Sequence, residues 1–311
     1  MNKNLISMIL ISVFFFGYFF NGLFLYLETG NPNNTNDFNF HYEKANGLTE
    51  KNYSIGYYWF FSLFAFNQFI FYLANILMPV VIIPLLLWLL VKNNWITAIY
   101  FLGLKFGNQI IFSGTFPMAL IICFFLIYLL FRKNWLLLLI LTFLAANSHS
   151  YGLELFILIW IAELSTLIIK HTKNLITLTW IISIPNMVFA ESIERSHNII
   201  KLNDLIKVFL FSTPLPIIFF GLKQLIKEKD LFYWILFVVP FFIMFFVPSR
   251  VLSISAIIIS IYAAKQLPKE NKIIKIGFIL ILLLTFFYFI IEKISCGGFH
   301  WLNANDYLTC F

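Results

Sequence analysis

The sequence has few charged residues and very little cysteine. Only 11% of its 311 residues are charged, 61% are hydrophobic, and its three cysteines form no CxxC pair. It also lacks a Walker sequence, a G-x-S-x-G elbow and an HExxH helix, so soluble-type ATPase, hydrolase and zinc chemistry have no motif to support them. So little charge excludes a soluble domain, and we predict an all-helical protein embedded in a membrane.

What the sequence has instead is a series of apolar runs separated by polar connections. The runs predict about 11 transmembrane helices (roughly 9 to 12) in a single domain over residues 1–311. The first run, residues 5–27, has no cleavage site and predicts a retained helix. Lysines fall in alternate connections, so the amino terminus is predicted in the cytoplasm, residues 28–54 in the first extracytoplasmic loop and 292–311 in an extracytoplasmic tail.

Charge, cysteines and turn residues give further indications about the connections between these runs. The net charge of +7 is explained by lysines in cytoplasmic loops and gives no indication of nucleic-acid binding. Cys296 and Cys310 share the outer tail and predict a disulfide. Turn-forming residues 147–152, NSHSYG, interrupt one apolar stretch at the outer surface.

The remaining apolar runs, after the first, predict the other membrane spans in chain order. These spans are 55–90 (with 55–66 either an interfacial helix or the start of that span), 95–112, 118–131, 135–146, 153–169, 175–190, 208–222, 231–247, 251–264 and 276–291.

The most informative polar stretch lies after the first apolar run. Residues 37–58 read DFNFHYEKANGLTEKNYSIGYY, a longer and more acidic connection than most others, which favours a site over a linker. Asn36 is predicted to cap a short helix that begins at Asp37, where the carboxylate meets the positive end of the helix dipole, and ends at Asn46-Gly47. The alternative is a solvated loop that only links two spans.

Helical periodicity gives this short helix two faces. The pattern would place the helix flat on the membrane with its polar side turned outward. The predicted polar face holds Asp37, His41 and Lys44, and the other face holds Phe38, Tyr42 and Ala45.

Further polar groups are predicted on the same outer side. The planar guanidinium of Arg250 suits a lipid phosphate because it can donate two hydrogen bonds at once, although it can also serve as a snorkelling anchor. Lys105 is a second outer cation with the same alternative. His149 stands among turn residues, which favours turn chemistry over a ligand role. The other candidates for substrate contact are Tyr42, Glu43, Tyr58, Tyr151 and Glu154.

Four stretches carry a resemblance to a known family. They are DFNFHY at 37–42, GYYWFF at 56–61, the region 107–152, and SRV at 249–251. In this order they resemble the first outer loop, the aromatic interfacial segment, the central helices and the late outer arginine of GT-C type integral membrane glycosyltransferases. Two features depart from that pattern: FSGTFP at 112–117 has no second acidic residue, and the interfacial segment has no proline.

The resemblance implies a divergent enzyme of cell-envelope glycosylation. Such enzymes transfer a sugar from a polyprenyl-phosphate donor to a glycan, lipid or protein acceptor outside the cytoplasm, with inversion. The resemblance implies that Asp37 is the general base and that Arg250 binds the donor phosphate. His41, one turn later on the same helical face, is the second candidate base, and Lys105 is the second candidate for binding the donor phosphate. No cofactor is expected, a divalent metal is not indicated, and the expected partners are the lipid-linked sugar, its acceptor and membrane lipids.

Two other classes of function stay open. A transporter or flippase for a lipid or small solute is one alternative, although such proteins place ionisable groups near the bilayer centre in broken helices of repeated halves, and the sequence shows neither halves nor a mid-span carboxylate pair. The other is a non-catalytic partner, or a polymerase or ligase, in glycan assembly.

Overall fold

The described part of the protein is helical throughout. The structure is a computed structural model, and it describes residues 5–33, 35–47, 55–104, 116–172, 213–243 and 252–295. Within these ranges the backbone forms helices, turns and short irregular connections, without a strand. The predicted all-helical class is confirmed.

The described helices overlap the predicted apolar runs, but the predicted span 208–222 is wrong in its bounds, since this helix begins at Leu215 and ends at Glu228. The helices are α1 Leu5–Thr29, α2 Asn36–Ala45, α3 Ile55–Phe61, α4 Gln68–Leu77, α5 Ile83–Val91, α6 Trp95–Ala98, α7 Phe116–Leu130, α8 Trp135–Ser148, α9 Ser150–Thr172, α10 Leu215–Glu228, α11 Leu231–Ile243, α12 Leu252–Gln266 and α13 Lys272–Ser295. Two 3₁₀ turns extend α3 and α12, at Ser62–Phe64 and Leu267–Lys269, and π-helical segments follow α4 and α6, at Met78–Ile82 and Ile99–Gly103.

Several helices have the composition of membrane spans. Among the described residues, three helical stretches are long and apolar enough to cross a bilayer: Leu5–Thr29, Gln68–Val91 and Tyr151–Lys170. Three shorter helices are also apolar: Phe116–Leu130, Trp135–Ser148 and Leu231–Phe241. The chain is therefore a membrane protein. The predicted span at 175–190 and the predicted Cys296–Cys310 disulfide lie outside the described residues.

Residues 95–104 are the described part of the predicted span 95–112, and the helix ends within them. Helix α6 and its π-helical segment end at Gly103, and Leu104 is extended, with φ −98° and ψ 112°. At about 1.5 Å per residue, this helix covers roughly half the thickness of a hydrocarbon core. The Tyr100 hydroxyl donates to the Pro79 carbonyl at 2.7 Å, so the two π-helical segments are joined by a hydrogen bond.

The chain divides into two compact units, and the predicted single domain over 1–311 stays a prediction. The first unit comprises residues 1–152 and 276–311. There α1 lies close to α4, because Gly22 leaves room for the Tyr72 ring, whose hydroxyl donates to the Tyr18 carbonyl at 3.0 Å. These contacts fix the carboxyl-terminal half of α1 beside α4.

The second unit comprises residues 153–275. Helices α10 and α11 pack against α12, which is buried on every side from Ser253 to Ala264. Gly221 allows the close contact with α10, since a Cβ there would lie 2.4 Å from the Ile259 carbonyl oxygen. Ser255 donates to the Phe237 carbonyl at 2.8 Å and joins α12 to α11.

Candidate functional site

The short helix predicted in the first loop is present as α2, but its cap lies one residue earlier. Thr35 has extended backbone, and its hydroxyl accepts a hydrogen bond from the Phe38 amide at 3.1 Å. Asn36 is the first helical residue, so the predicted Asn36 cap is wrong. The helix ends at Ala45, and Gly47 follows with a φ of +73°, as the Asn46-Gly47 signal predicts.

The Phe38 side chain anchors α2 to the transmembrane helices. It is completely buried, with ring centroids 5.8 Å from Phe71, 6.1 Å from Tyr72 and 6.2 Å from Phe116, all in tilted or edge-on geometry. Burying a phenylalanine contributes about 1.5–3 kcal/mol relative to exposure. This contact holds the amino-terminal half of α2 against α4 and α7.

His41 lies on the buried face of α2, and the predicted polar face is wrong at this position. The imidazole is 9% exposed, and its Nδ1 lies 2.6 Å from the Tyr58 hydroxyl. A polar ring can be buried here because α3 supplies that hydrogen-bond partner, 17 residues later in the chain. The pair joins α2 to α3 and fixes the orientation of the imidazole.

A second buried pair continues from α3 to α4. The Tyr57 hydroxyl donates to Asn75 Oδ1 at 2.5 Å, and Asn75 Nδ2 donates to the Phe71 carbonyl at 2.8 Å. Tyr57 and Asn75 are both completely buried. Because an unsatisfied amide in such surroundings costs about 1–3 kcal/mol, these bonds fix the position of α3 on α4.

A lysine ammonium lies beside the His41–Tyr58 pair. Lys44 Nζ is 5.1 Å from the centroid of the Tyr58 ring and 5.5 Å from that of the Phe40 ring. A cation at this distance from a ring face is attracted by its quadrupole, by about 0.5–1 kcal/mol at exposed sites and more when desolvated. The site therefore combines an imidazole, a phenol and a positive charge.

The predicted break at residues 147–152 lies next to α3. Helix α8 ends at Ser148, His149 is extended, and its Nδ1 accepts from the Tyr151 amide at 3.1 Å, where α9 begins. This is the turn role predicted for His149. A Cβ added at Gly56 of α3 would lie 3.3 Å from the Asn147 carbonyl oxygen, so α3 and the helix break approach each other closely at this glycine.

The structure thus brings together three predicted site segments: α2 with His41, α3 with Tyr58, and the helix break with His149. Tyr151 is 3% exposed, and Glu43 is exposed on α2. Tyr42 is half-buried and stacks on Phe38 with a centroid separation of 6.4 Å. Burial, with a smaller contribution from Tyr26, raises the pKa of Tyr42, so its hydroxyl is a donor at neutral pH.

For other predicted site residues, the structure describes only part of the residue or its surroundings, or none of the residue. Asp37 lies in the first turn of α2, and its side chain lies outside the described part of the structure, as do all of Lys105 and Arg250. Glu154 is half-buried on α9 and belongs to the second unit. Among the described residues, no group of three or more His, Cys, Asp or Glu could hold a metal ion.

Two residues of the site were not predicted from the sequence. Asn75 lies in an apolar run, where an isolated amide indicates a buried hydrogen-bonding partner, and this signal could have identified it. Gly56 precedes an aromatic run and has no local signal, because its role depends on a helix that is distant in sequence.

Comparison with known proteins adds no family assignment. Searches against protein-family models, curated proteins and solved structures found no match for this chain. The roles of the site residues therefore rest on their own geometry and chemistry.

Proposed function

We propose that this chain is an integral membrane glycosyltransferase of the GT-C type. It takes a sugar from a polyprenyl-phosphate donor and passes it, with inversion, to a hydroxyl of a glycan, lipid or protein on the extracytoplasmic side. About 11 membrane helices form its scaffold, with the amino terminus in the cytoplasm and the carboxyl tail outside.

The observation that carries the proposal is the fixed position of α2 just after α1. Phe38 anchors it to α4, and His41 binds α3 through Tyr58. A loop that only links two spans needs neither a buried aromatic anchor nor a buried hydrogen bond. A helix held at two points can place a catalytic carboxylate far more precisely than a loop can.

Asp37 is the proposed general base. Its place in the first turn of α2 favours a negative charge, since the helix dipole is positive there. The carboxylate removes the proton of the acceptor hydroxyl while that oxygen attacks the anomeric carbon. The bond from carbon to phosphate oxygen breaks on the opposite face, and the electron pair leaves with the phosphate. One displacement of this kind inverts the anomeric centre.

The leaving phosphate needs positive charge, which Arg250 and Lys105 are proposed to supply. His41 is the second candidate base. Its hydrogen bond to Tyr58 supports this role by holding the ring in one orientation. The proposed substrate-binding residues are Tyr42, Glu43, Tyr58, His149, Tyr151 and Glu154.

The test is sugar transfer in proteoliposomes supplied with lipid-linked sugars and acceptor. Removing a general base lowers the rate by about 10²–10⁴-fold, so Asp37→Asn is expected to lose that much activity and to retain donor binding. Glu28→Gln removes an exposed carboxylate at the end of α1 and is expected to have no effect. No transfer by the unmodified chain from any such donor would contradict the proposal.

A second test concerns the phosphate. A lysine at position 250 keeps the charge but cannot donate two parallel hydrogen bonds, so Arg250→Lys is expected to raise the KM for donor. Arg132→Lys is the matched control, because this arginine is not assigned to the site. An equal change in both variants would remove Arg250 from the phosphate site.

One observation favours a transporter or flippase as the second candidate. Helix α6 with its π-helical segment ends at Gly103, after about half a bilayer, and broken helices form substrate sites in transporters. The discriminating measurement is movement of a fluorescent lipid-linked sugar between leaflets without acceptor. Movement in the absence of any transfer would favour this candidate.

A further inference from the structure

Lysines concentrate at one end of the second unit. They lie on the last turns of α10 and α12, in the connections that follow, and at the start of α13. We call this surface the basic face. It contains seven lysines, Lys223, Lys227, Lys229, Lys265, Lys269, Lys272 and Lys275, and three acidic residues, Glu228, Asp230 and Glu270.

Hydrogen bonds across the two connections fix the shape of the basic face. Lys223 Nζ lies 2.7 Å from Glu270 Oε1, which also accepts from Gln266 Nε2 at 2.5 Å. Lys269 Nζ donates to Gln224 Oε1 at 3.0 Å. The bonded residues of α10 and of the α12 end are more than 40 positions apart in sequence, so the two connections form one surface rather than two independent loops.

The acidic residues of the basic face bind groups of the protein itself. Glu228 Oε2 lies 3.1 Å from Lys265 Nζ, and Asp230 Oδ1 accepts from the Phe232 amide at the start of α11. Lys227, Lys229 and Lys272 are exposed, and none of them makes an ion pair with a residue in the described ranges. These three ammonium groups give the face an excess of positive charge toward its surroundings.

Exposed isoleucines stand beside these lysines. Ile226 is 58% exposed next to Lys227, and Ile273 is 81% exposed next to Lys272. A surface that meets only water gains nothing from exposed isoleucine, whereas at a bilayer boundary the isoleucines reach the acyl chains and the lysines reach the headgroups. Helices α10 and α13, which carry these isoleucines, are apolar away from their lysine-bearing ends.

We propose that the basic face binds the phosphate headgroups of anionic phospholipids in the adjacent leaflet. The ion pairs hold the two connections together, and the exposed isoleucines set the depth at which the basic face enters the bilayer. Lys227, Lys229 and Lys272 contact the phosphates. A lysine near an anionic membrane surface contributes about 1 kcal/mol, which corresponds to about fivefold in affinity. This site does not depend on the proposed transferase activity.

Native mass spectrometry of the purified full chain tests the proposal. The protein in detergent is titrated with equal amounts of phosphatidylglycerol and phosphatidylcholine that carry the same acyl chains. The unmodified chain is expected to retain phosphatidylglycerol in preference to phosphatidylcholine. In the triple variant Lys227→Gln, Lys229→Gln, Lys272→Gln the preference is expected to fall by about fivefold for each lysine removed, or roughly a hundredfold.

The matched control is Lys92→Gln, Lys133→Gln, Lys170→Gln, which removes the same charge from three exposed lysines elsewhere. It is expected to keep the preference, and thermal unfolding in detergent checks that both variants are folded. Equal losses in both variants, an unchanged preference in the first, or no preference in the unmodified chain would overturn the proposal. Displacement of phosphatidylglycerol by millimolar inorganic phosphate would also overturn it, since the site would then bind free anions.

Discussion

The two units of the chain hold their polar side chains in opposite ways. In the first unit, Tyr57 and Asn75 are uncharged, completely buried and joined by a short hydrogen bond. In the second, Lys223 and Glu270 form an ion pair at helix ends, with the lysine side chain 51% exposed. A lost partner costs about 1–3 kcal/mol in a buried pair, whereas an exposed ion pair contributes less than about 1 kcal/mol and weakens in salt. The buried pair of the first unit therefore specifies geometry, and the ion pair of the second unit holds a charged surface together.

The largest effect is expected where α2 is anchored. Phe38→Ala removes a completely buried ring among four aromatic partners, and we expect a loss of about 3–5 kcal/mol in unfolding free energy or the detachment of α2. Limited proteolysis of the first loop, together with thermal unfolding in detergent, measures both. Phe24→Ala, at a position 62% exposed on α1, is the control and is expected to leave proteolysis unchanged. Equal protection of the loop in both variants would show that α2 is not held by Phe38.

In the second unit the corresponding contact is between helix backbones. Gly221→Ala places a Cβ 2.4 Å from the Ile259 carbonyl oxygen, and separating α10 from α12 is expected to cost about 1–3 kcal/mol. Gly277→Ala meets no atom within 4 Å and is expected to be neutral or stabilising by about 0.4–1 kcal/mol. Thermal unfolding of the two variants compares them, and a stable Gly221→Ala protein would disprove the close α10–α12 packing.

The buried hydrogen bond of the first unit gives the next effect. Tyr57→Phe leaves Asn75 Oδ1 without its donor, and we expect a loss of about 1–3 kcal/mol that does not change with salt. Tyr288→Phe removes a hydroxyl from a side chain that is 59% exposed, and no change is expected. Thermal unfolding at low and high salt is the measurement. A loss that disappears in salt would place this pair in the same class as the ion pairs of the second unit.

The smallest effect concerns pH and the basic face. The hydrogen bond from Lys223, followed by that from Gln266, lowers the pKa of Glu270. A lowered folded-state pKa stabilises the protein above the ordinary glutamate pKa of about 4.3, and this contribution is lost as pH falls through the lowered value. Because the lysine of this pair is 51% exposed, we expect a contribution of less than about 1 kcal/mol at neutral pH, absent in Glu270→Gln and reduced by salt. A Glu270→Gln protein with the same acid-unfolding curve as the unmodified chain would contradict this.

Much of the fold was predictable because apolar runs of this length have few alternatives in a membrane. The runs at 118–131 and 135–146 appear as α7 and α8, and the turn residues 147–152 mark the break between α8 and α9. The carboxyl end of α2 was predictable from Asn46-Gly47. The cap was not, because Thr35 and Asn36 are both good capping residues, and only the extended backbone of Thr35 distinguishes them.

What could not be predicted depends on contacts between distant residues. His41 looks like a surface residue in sequence, and only its hydrogen bond to Tyr58 explains its burial. The π-helical segment that ends at Gly103 was not predicted, because the apolar residues before it do not show where a helix widens into a π turn. The roles of Asp37 and Arg250 stay predictions.

Chemical rescue of an Asp37 variant tests the central claim most directly. Sugar transfer by Asp37→Ala is measured in proteoliposomes with a lipid-linked donor, with and without added formate. We predict a loss of about 10²–10⁴-fold, unchanged donor binding, and partial recovery with formate, because a small carboxylate can enter the space and remove the acceptor proton. Full activity of Asp37→Ala, or a loss of donor binding that formate does not restore, would contradict the assignment of a catalytic base to α2.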